Sequence, residues 1–509
     1  VRVALILGSM RESRNGAADF LGRGRWIAAG PILFAILLLL PTPDGVTPDG
    51  MATLAMAAWM AVWWLAVAVP LAVTALLPLV LLPALRVATP SAAAAPYANP
   101  VIFLFMGGFF IAASMQRWSL HRRLALAVVS RTGTSPRRLV AGFMLACAIL
   151  SMWMSNTAAT LMMMPIGIAV LGLLSQPSVG SDPGHEPSVD TGSLGVALML
   201  GIAYAGSIGG VATLIGTPPN AVLAAMADEL LETDVSFAGW MAVGLPVSVL
   251  TLATCWLLLC FVLFRLPGRP VAGAAQVIDA ERGQLGPWHP AERITAVVFA
   301  SAAVAWILRA PKQIGDVTIP GLQSIWPQIG DATIAIAAAL VLFVWPTRDR
   351  EGRRTAVLDW SHARYIPWDI LVLFGGGLSL ASAFQSTGLT KWLGGELAVL
   401  AGLPDVLVIV AVATLFVFVT EITSNTATAT LGLPVMAALG QSVGVEPLAL
   451  MTTAAMGASM AFMLPVATPP NAIVFGTGHV KPEQMRRAGF WLNWIGIVMI
   501  TTIVAVTMS

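Results

Sequence analysis

The chain has 509 residues, of which 57% are hydrophobic and only 10% are Asp, Glu, Lys or Arg, whereas soluble proteins carry about 25% charged residues. At a mean hydropathy of +0.84, too few polar side chains remain to cover a soluble surface of this size, so the chain reads as a polytopic membrane protein. A net charge of +2, with basic residues in short clusters, argues against nucleic-acid binding. Cys147, Cys255 and Cys260 lack metal-ligand spacing and read as small core residues.

Residues 1–24 form an Arg-rich N-terminal segment that does not have the pattern of a cleavable secretion signal. A spanning helix needs about 20 mainly apolar residues, and on that measure spans are expected near 25–41, 51–67, 70–86 and 100–118. The apolar stretch 139–173 is too long for one helix and is interrupted by Ser155-Asn156-Thr157. Spans follow near 193–226, 236–264, 294–310, 331–346 and 367–388. A second interrupted stretch, 404–441, precedes the last spans near 447–477 and 490–508.

Orientation follows from charge. With the N-terminus in the cytoplasm and each interrupted stretch entering and leaving on one side, only Arg86, Arg309, Lys312 and Lys391 of the 27 Lys and Arg fall outside. That bias satisfies the positive-inside rule and puts the C-terminus outside. The acidic 174–192 loop, with Asp182, Glu186 and Asp190, falls inside, which is tolerable because acidic residues weigh little in orientation.

The chain also contains itself twice. Ile102–Ser114 parallels Ile370–Ser382, Ser155-Asn156-Thr157-Ala158 returns as Ser424-Asn425-Thr426-Ala427, and Thr217-Pro218-Pro219-Asn220-Ala221 returns as Thr468-Pro469-Pro470-Asn471-Ala472. The first hairpin opens to the cytoplasm and the second to the outside, so the halves have inverted topology, as in many secondary transporters. The expected fold is all-α: two inverted repeats, about 11 transmembrane helices and two re-entrant hairpins. Its divisions are 1–24, a first repeat 25–265 with hairpin 139–173, a cytoplasmic linker 266–293, and a second repeat 294–509 with hairpin 404–441.

Each Ser-Asn-Thr lies at a hairpin tip, at bilayer depth, where unwound backbone is tolerated only if buried or lining a cavity. The return arm starts there, so its free N–H groups and the Asn and Thr side chains offer donors to an anion. Ser151 precedes Ser155 by four residues, and Thr420 precedes Ser424 by four, which places each pair on one face of the first arm. Hydroxyl, amide and backbone oxygens together suit a small hard cation. The Thr-Pro-Pro-Asn prolines free further carbonyls just upstream, at Gly216 and Ala467. Glu421 is the clear carboxylate deep in the apolar stretches, but Met152 holds the matching place in the first half, which favours a structural role inside the hairpin over proton coupling.

These paired hairpins, the Thr-Pro-Pro-Asn segments and the stretch TEITSNTATATLGLPV resemble the divalent anion/sodium symporter family, the INDY-type di- and tricarboxylate transporters, from about residue 25 onward. The resemblance implies a homodimer in the plasma (inner) membrane whose transport domain moves as an elevator against a scaffold. It implies one sodium site on Ser151, Ser155, Asn156 and Gly216, and another on Thr420, Ser424, Asn425 and Ala467. Substrate carboxylates would meet Asn156, Thr157, Asn425 and Thr426, with Thr217, Pro218, Thr468 and Pro469 alongside. At least two co-transported sodium ions would then offset the charge of a dianion that meets no Lys or Arg in these motifs. The expected function is sodium-coupled symport of C4-dicarboxylates such as succinate, malate and fumarate. The alternatives are a sodium-independent exchanger, or a proton-coupled carrier of citrate, sulfate or another divalent anion. An intramembrane protease would need a His-Glu-x-x-His set or two membrane Asp, which the apolar stretches lack, so no enzyme is expected.

Overall fold

The computed structural model describes residues 24–174, 191–269, 273–314 and 317–508. The expected N-terminal segment and acidic 174–192 loop lie, apart from their edges, outside the described residues.

Helix starts share one device. Proline occupies the first turn of Pro48–Leu65, Pro100–Arg117, Pro136–Ser151, Pro218–Leu231, Pro290–Ile307 and Pro482–Thr507. The ring costs no hydrogen bond there, because that N–H has no intrahelical partner. Often the residue before it caps: Thr47 Oγ1 accepts from Gly50 N at 2.9 Å, and Asn99 Oδ1 from Val101 N at 2.9 Å. This is how a strongly apolar chain sets its helix boundaries without spending charged residues.

Among the described residues six helices are long and apolar enough to cross a bilayer by themselves, or up to seven if Leu389–Leu400 and Asp405–Thr420, bent by 115°, form one span. The rest of the expected spans are shorter or broken. The 70–86 region divides into Leu71–Thr74 and Leu77–Ala84; 193–226 divides into Thr191–Gly210 and Pro218–Leu231; 447–477 divides into Pro447–Gly457 and Pro469–Phe475. Proline stands in the first turn of each second piece, at Pro78, Pro218 and Pro469, where it restarts the helix, and at the latter two it keeps the residue before it, Thr217 or Thr468, out of the helical region. Among the described residues, the elements outside the spans include Leu120–Thr132, its repeat partner Leu389–Leu397 and the linker helix Ala274–Gly283. Two small antiparallel ribbons, Lys312–Ile314 with Val317–Ile319 and Pro346–Arg348 with Arg354–Ala356, join spans in the second half.

The helices can be followed as two groups, which also pack on each other, Pro218–Leu231 lying against Trp368–Ser386. One is a frame of Pro48–Leu65, the broken 71–98 segment, Pro100–Arg117, Pro290–Ile307, Asp331–Val344 and Trp368–Ser386. Close crossings in it fall at glycines: an added Cβ would lie 2.6 Å from the Ala335 carbonyl carbon at Gly107 and 2.2 Å from the Ala75 oxygen at Gly376. Such small-residue contact holds helices together where lipid supplies no hydrophobic drive. The second body holds both hairpins with the helices that follow them. Its packing is crosswise: Pro218–Leu231 of the first half lies on the second hairpin's return arm, and Pro469–Phe475 of the second half lies on the first hairpin's return arm. The helix after each Thr-Pro-Pro-Asn break thereby reaches the other repeat's hairpin, while the break loop itself stays at the tip of its own.

Candidate functional site

The first arm of hairpin one, Pro136–Ser151, ends at Ser151; residues 152–155 turn, and the return arm Asn156–Leu174 begins at Asn156. Ser151 is fully buried. Its Oγ lies 2.6 Å from Asn156 Oδ1 and 2.5 Å from the Gly206 carbonyl oxygen. Asn156 Oδ1 also faces the carbonyl oxygens of Gly206 and Gly216, each at 3.2 Å. Turning the Asn156 amide over would let its nitrogen donate to Ser151 Oγ and both carbonyls.

The second hairpin repeats this arrangement. Asp405–Thr420 ends at Thr420, and the return arm Asn425–Val443 starts at Asn425. Thr420 Oγ1 is buried, 2.8 Å from Asn425 Oδ1 and 2.8 Å from the Ala458 carbonyl oxygen. The hydroxyl has one hydrogen for two acceptors.

The break loops are held by the last residue of each Thr-Pro-Pro-Asn. Asn220 Nδ2 donates to the carbonyls of Gly210, Val211 and Thr213 at 3.1, 3.3 and 2.8 Å. Asn471 Nδ2 does the same for Ala461 and Leu464, at 3.2 and 3.1 Å. Side-chain amides thus satisfy carbonyls that the broken helices leave without partners. The loops sit close to the tips because their glycines permit it. A Cβ on Gly210 would lie 2.5 Å from Asn156 Oδ1, and one on Gly216 would lie 2.4 Å from the Gly210 oxygen.

Of the residues singled out in the sequence, the structure brings Ser151, Asn156 and Gly216 together, and Thr420 with Asn425. Ser155 and Ser424 do not share a helical face with Ser151 and Thr420, because the arms end before them. Each is the residue before a return arm; Ser155 Oγ accepts from Ala158 N at 3.3 Å, and Ser424 makes no side-chain cap bond. Ala467 is buried in the second break loop. Thr157 and Thr426 stand second in the return arms, half-buried and buried respectively. Thr217 and Thr468 are buried at the starts of the Pro helices, while Pro218 is half-buried and Pro469 exposed. Thr468 Oγ1 caps Asn471 N at 3.3 Å. Sequence reading passed over the carbonyls of Gly206 and Ala458 and the amides of Asn220 and Asn471. The two amides carried a signal, since both recur in the repeated motif; backbone carbonyls carry none. Glu421 bonds outside its own hairpin, to backbone N–H groups of residues 462–464.

The family described as "Sodium:sulfate symporter transmembrane region" matches residues 27–508. A protein of Staphylococcus saprophyticus, "Sodium-dependent dicarboxylate transporter SdcS", is 42% identical over 479 residues, covering 93% of this chain and 89% of its own length. The Staphylococcus aureus protein of the same name is 40% identical over 475 residues, with 93% and 89% covered. Among solved structures, "Crystal structure of the Alcanivorax borkumensis YdaH transporter reveals an unusual topology" superposes with a TM-score of 0.55 at 16% identity, over 82% of this chain and 87% of that one. At that identity the likeness is one of fold. The chain belongs to the sodium:sulfate (divalent anion/sodium) symporter family of membrane transporters, which are not enzymes.

Proposed function

We propose that the protein is a sodium-coupled symporter of C4-dicarboxylates. The observation that carries this reading is the pair of oxygen-rich clusters, one at each hairpin tip, in each of which a buried hydroxyl, a side-chain amide and a backbone carbonyl converge. A small hard cation suits such a set of neutral oxygens. The relatives at 40–42% identity bear a name that joins sodium to a dicarboxylate, which supports the choice of both ions.

In this reading sodium meets Ser151, Asn156, Gly216 and the Gly206 carbonyl at one tip, with Ser155 beside them. At the other it meets Thr420, Asn425, Ala467 and the Ala458 carbonyl, with Ser424 beside them. The dicarboxylate lies between the tips, against Asn156, Thr157, Asn425 and Thr426, near Thr217, Pro218, Thr468 and Pro469. None of these side chains is cationic, so at least two sodium ions supply the positive charge that makes dianion binding favourable. Each ligand then raises the affinity of the other, since the coupling is reciprocal. Transport follows when the hairpin-bearing body moves as an elevator against the frame, in a homodimer in the plasma membrane with the N-terminus in the cytoplasm and the C-terminus outside.

Uptake of radiolabelled succinate into proteoliposomes, under an inward sodium gradient and an equal potassium gradient, tests this. Uptake with sodium alone is the expected result. Equal uptake under both gradients, accelerated by succinate inside, would make the protein an exchanger and retire both sodium sites.

A further inference from the structure

Some arginines of the basic face have carboxylate partners and others have none. Of the six between residues 117 and 138, Arg117 pairs with Asp359, Arg122 with Glu281 and Arg123 with Glu292. Arg137 and Arg138 open the first arm of hairpin one, and Arg265 and Arg269 follow the helix Phe237–Leu257. None of these four pairs with a carboxylate among the described residues.

The fold brings the four together. Arg137 Nε donates to the Leu266 carbonyl at 2.5 Å, so Arg265 and Arg269 fall on either side of that bond. An added Cβ on Gly268 would lie 3.9 Å from Arg137 Nη1. The Arg137 guanidinium stands 4.4 Å from the centroid of the Phe261 ring, and the Arg137 carbonyl accepts from Trp256 Nε1 at 2.9 Å. Arg137 is thereby fixed in place, while Arg138, Arg265 and Arg269 are exposed. Helix stability does not explain this charge. Arg137 and Arg138 stand in the first turn of Pro136–Ser151, where the helix dipole disfavours cations, and Ser135 makes no side-chain cap bond. At the matching start of the second hairpin, the first turn holds Asp405, the sign that the dipole favours.

The cluster also lies at headgroup depth. Together with Leu258–Leu263, the helix Phe237–Leu257 runs for 27 residues, about 40 Å, against a hydrocarbon core about 30 Å thick. Only 33% of its most apolar window is buried, and Leu257, Phe261 and Val262 are exposed just before Arg265. A surface that acyl chains can cover thus ends in uncompensated positive charge, on the side that the charge bias places in the cytoplasm.

We propose that Arg137, Arg138, Arg265 and Arg269 bind the headgroup phosphate of an anionic phospholipid whose chains lie along Leu257, Phe261 and Val262. Arginine suits this task, since its planar fork meets phosphate oxygens in pairs and keeps its charge. A soluble phosphate would use the cations and leave the apolar strip uncovered, whereas a lipid uses both. The site depends on the chain's place in the membrane and is independent of sodium coupling.

The test is native mass spectrometry of the purified protein in detergent, titrated with phosphatidylglycerol or phosphatidylcholine of the same chain length. The first phosphatidylglycerol is expected to bind at least about 25-fold more tightly than phosphatidylcholine, at about fivefold per arginine removed from play. The double variant Arg138→Gln/Arg269→Gln is expected to lose about 25-fold of that preference. Arg348→Gln/Arg350→Gln removes the same charge from the same side, between two frame helices, and is expected to keep it. Equal binding of the two lipids by the wild type would overturn the proposal. So would equal losses in the two double variants, because the attraction would then belong to the whole basic face. Displacement of the lipid by glycerol 3-phosphate at equal concentration would overturn it as well, since a soluble phosphate would then suffice. Should the cluster double variant fail to fold, Arg138→Gln and Arg269→Gln decide singly: a loss of about fivefold in each supports the site, and no loss in either overturns it.

Discussion

At Ser119 and Gly388 the two halves make the same left-handed turn with different residues, at φ of 62° and 76°. Each turn joins a spanning helix to the short helix that follows it. Glycine reaches this region without a steric penalty, while a serine held there costs on the order of 1 kcal/mol. A Cβ added at Gly388 would meet nothing within 4 Å, so the backbone alone sets its cost. Ser119→Gly is therefore expected to stabilise the protein by up to about 1 kcal/mol, and Gly388→Ala to destabilise it by a similar amount. Thermal unfolding of the two variants in detergent reads both signs. The site was legible at this scale where side chains repeat: Ser151, Asn156, Thr420 and Asn425 stand in duplicated motifs, and the structure places each hydroxyl beside its amide. The carbonyls of Gly206 and Ala458 were not, because any residue type supplies a carbonyl and only the fold decides which ones face inward. The four-residue spacing of Ser151 and Ser155 misled for a related reason, since the helical period holds only as far as the helix runs.

Among elements, the joint between Pro100–Arg117 and the segment before Trp368 is electrostatic. Arg117 Nη1 pairs with Asp359 Oδ2 at 2.8 Å, and Asp359 Oδ1 accepts from His362 N at 3.2 Å to cap the short helix Trp360–Ala363. Partial burial pushes the Asp359 carboxyl up, but hydrogen bonds from His362 and Ser361 and the Arg117 charge outweigh it and hold the group well below the usual carboxylate range. A carboxyl depressed on folding gives stability that is complete above its unfolded value of about 3.9 and is lost as pH falls toward the folded one. The unfolding midpoint is thus expected to fall from roughly pH 5 downward, most steeply below the unfolded value, in the wild type and less steeply in Asp359→Asn. Parallel acid limbs for the two proteins would show that Asp359 is not the group responsible. Neither the cap nor the ribbons at 312–319 and 346–356 were legible in advance. Pattern reading tuned to 20-residue apolar runs passes over elements of three or four residues, which tertiary contacts define. The breaks at Ser-Asn-Thr were legible, because each apolar stretch is too long for one span and is interrupted by three polar residues that recur in the other half.

For the whole molecule, the duplication was the most readable feature, and the crosswise packing of each Pro helix on the other repeat's hairpin was hidden from it. Repeats show which parts correspond but not how two copies of a part meet. One contact between the hairpin body and the frame is charged and aromatic: Trp306 of the frame stacks on Phe237 at a centroid distance of 4.8 Å, and Arg309 reaches two carboxylates. Arg309 Nε lies 3.1 Å from Asp331 of the frame, and its Nη2 lies 2.7 Å from Asp234, which precedes the helix Phe237–Leu257 of the hairpin body. Asp331 also accepts from Phe237 N at 2.9 Å. The two pairs are unequal, since the Asp331 side chain is 9% exposed and the Asp234 side chain 70%. Removing Arg309 leaves a buried carboxylate without its counter-charge and is expected to cost about 3–5 kcal/mol, whereas an exposed pair is worth about 0–1 kcal/mol. Arg309 therefore stays with the frame, and the bond to Asp234 is the one that opens cheaply. If the hairpin body moves on the frame in each cycle, that bond breaks in each cycle. Asp234→Asn is then expected to leave the unfolding midpoint close to the wild type and to raise the initial rate of succinate uptake by up to about fivefold, the factor that 1 kcal/mol removed from a barrier allows. An uptake rate equal to the wild type, in a variant of unchanged stability, would place Asp234 outside the moving contact.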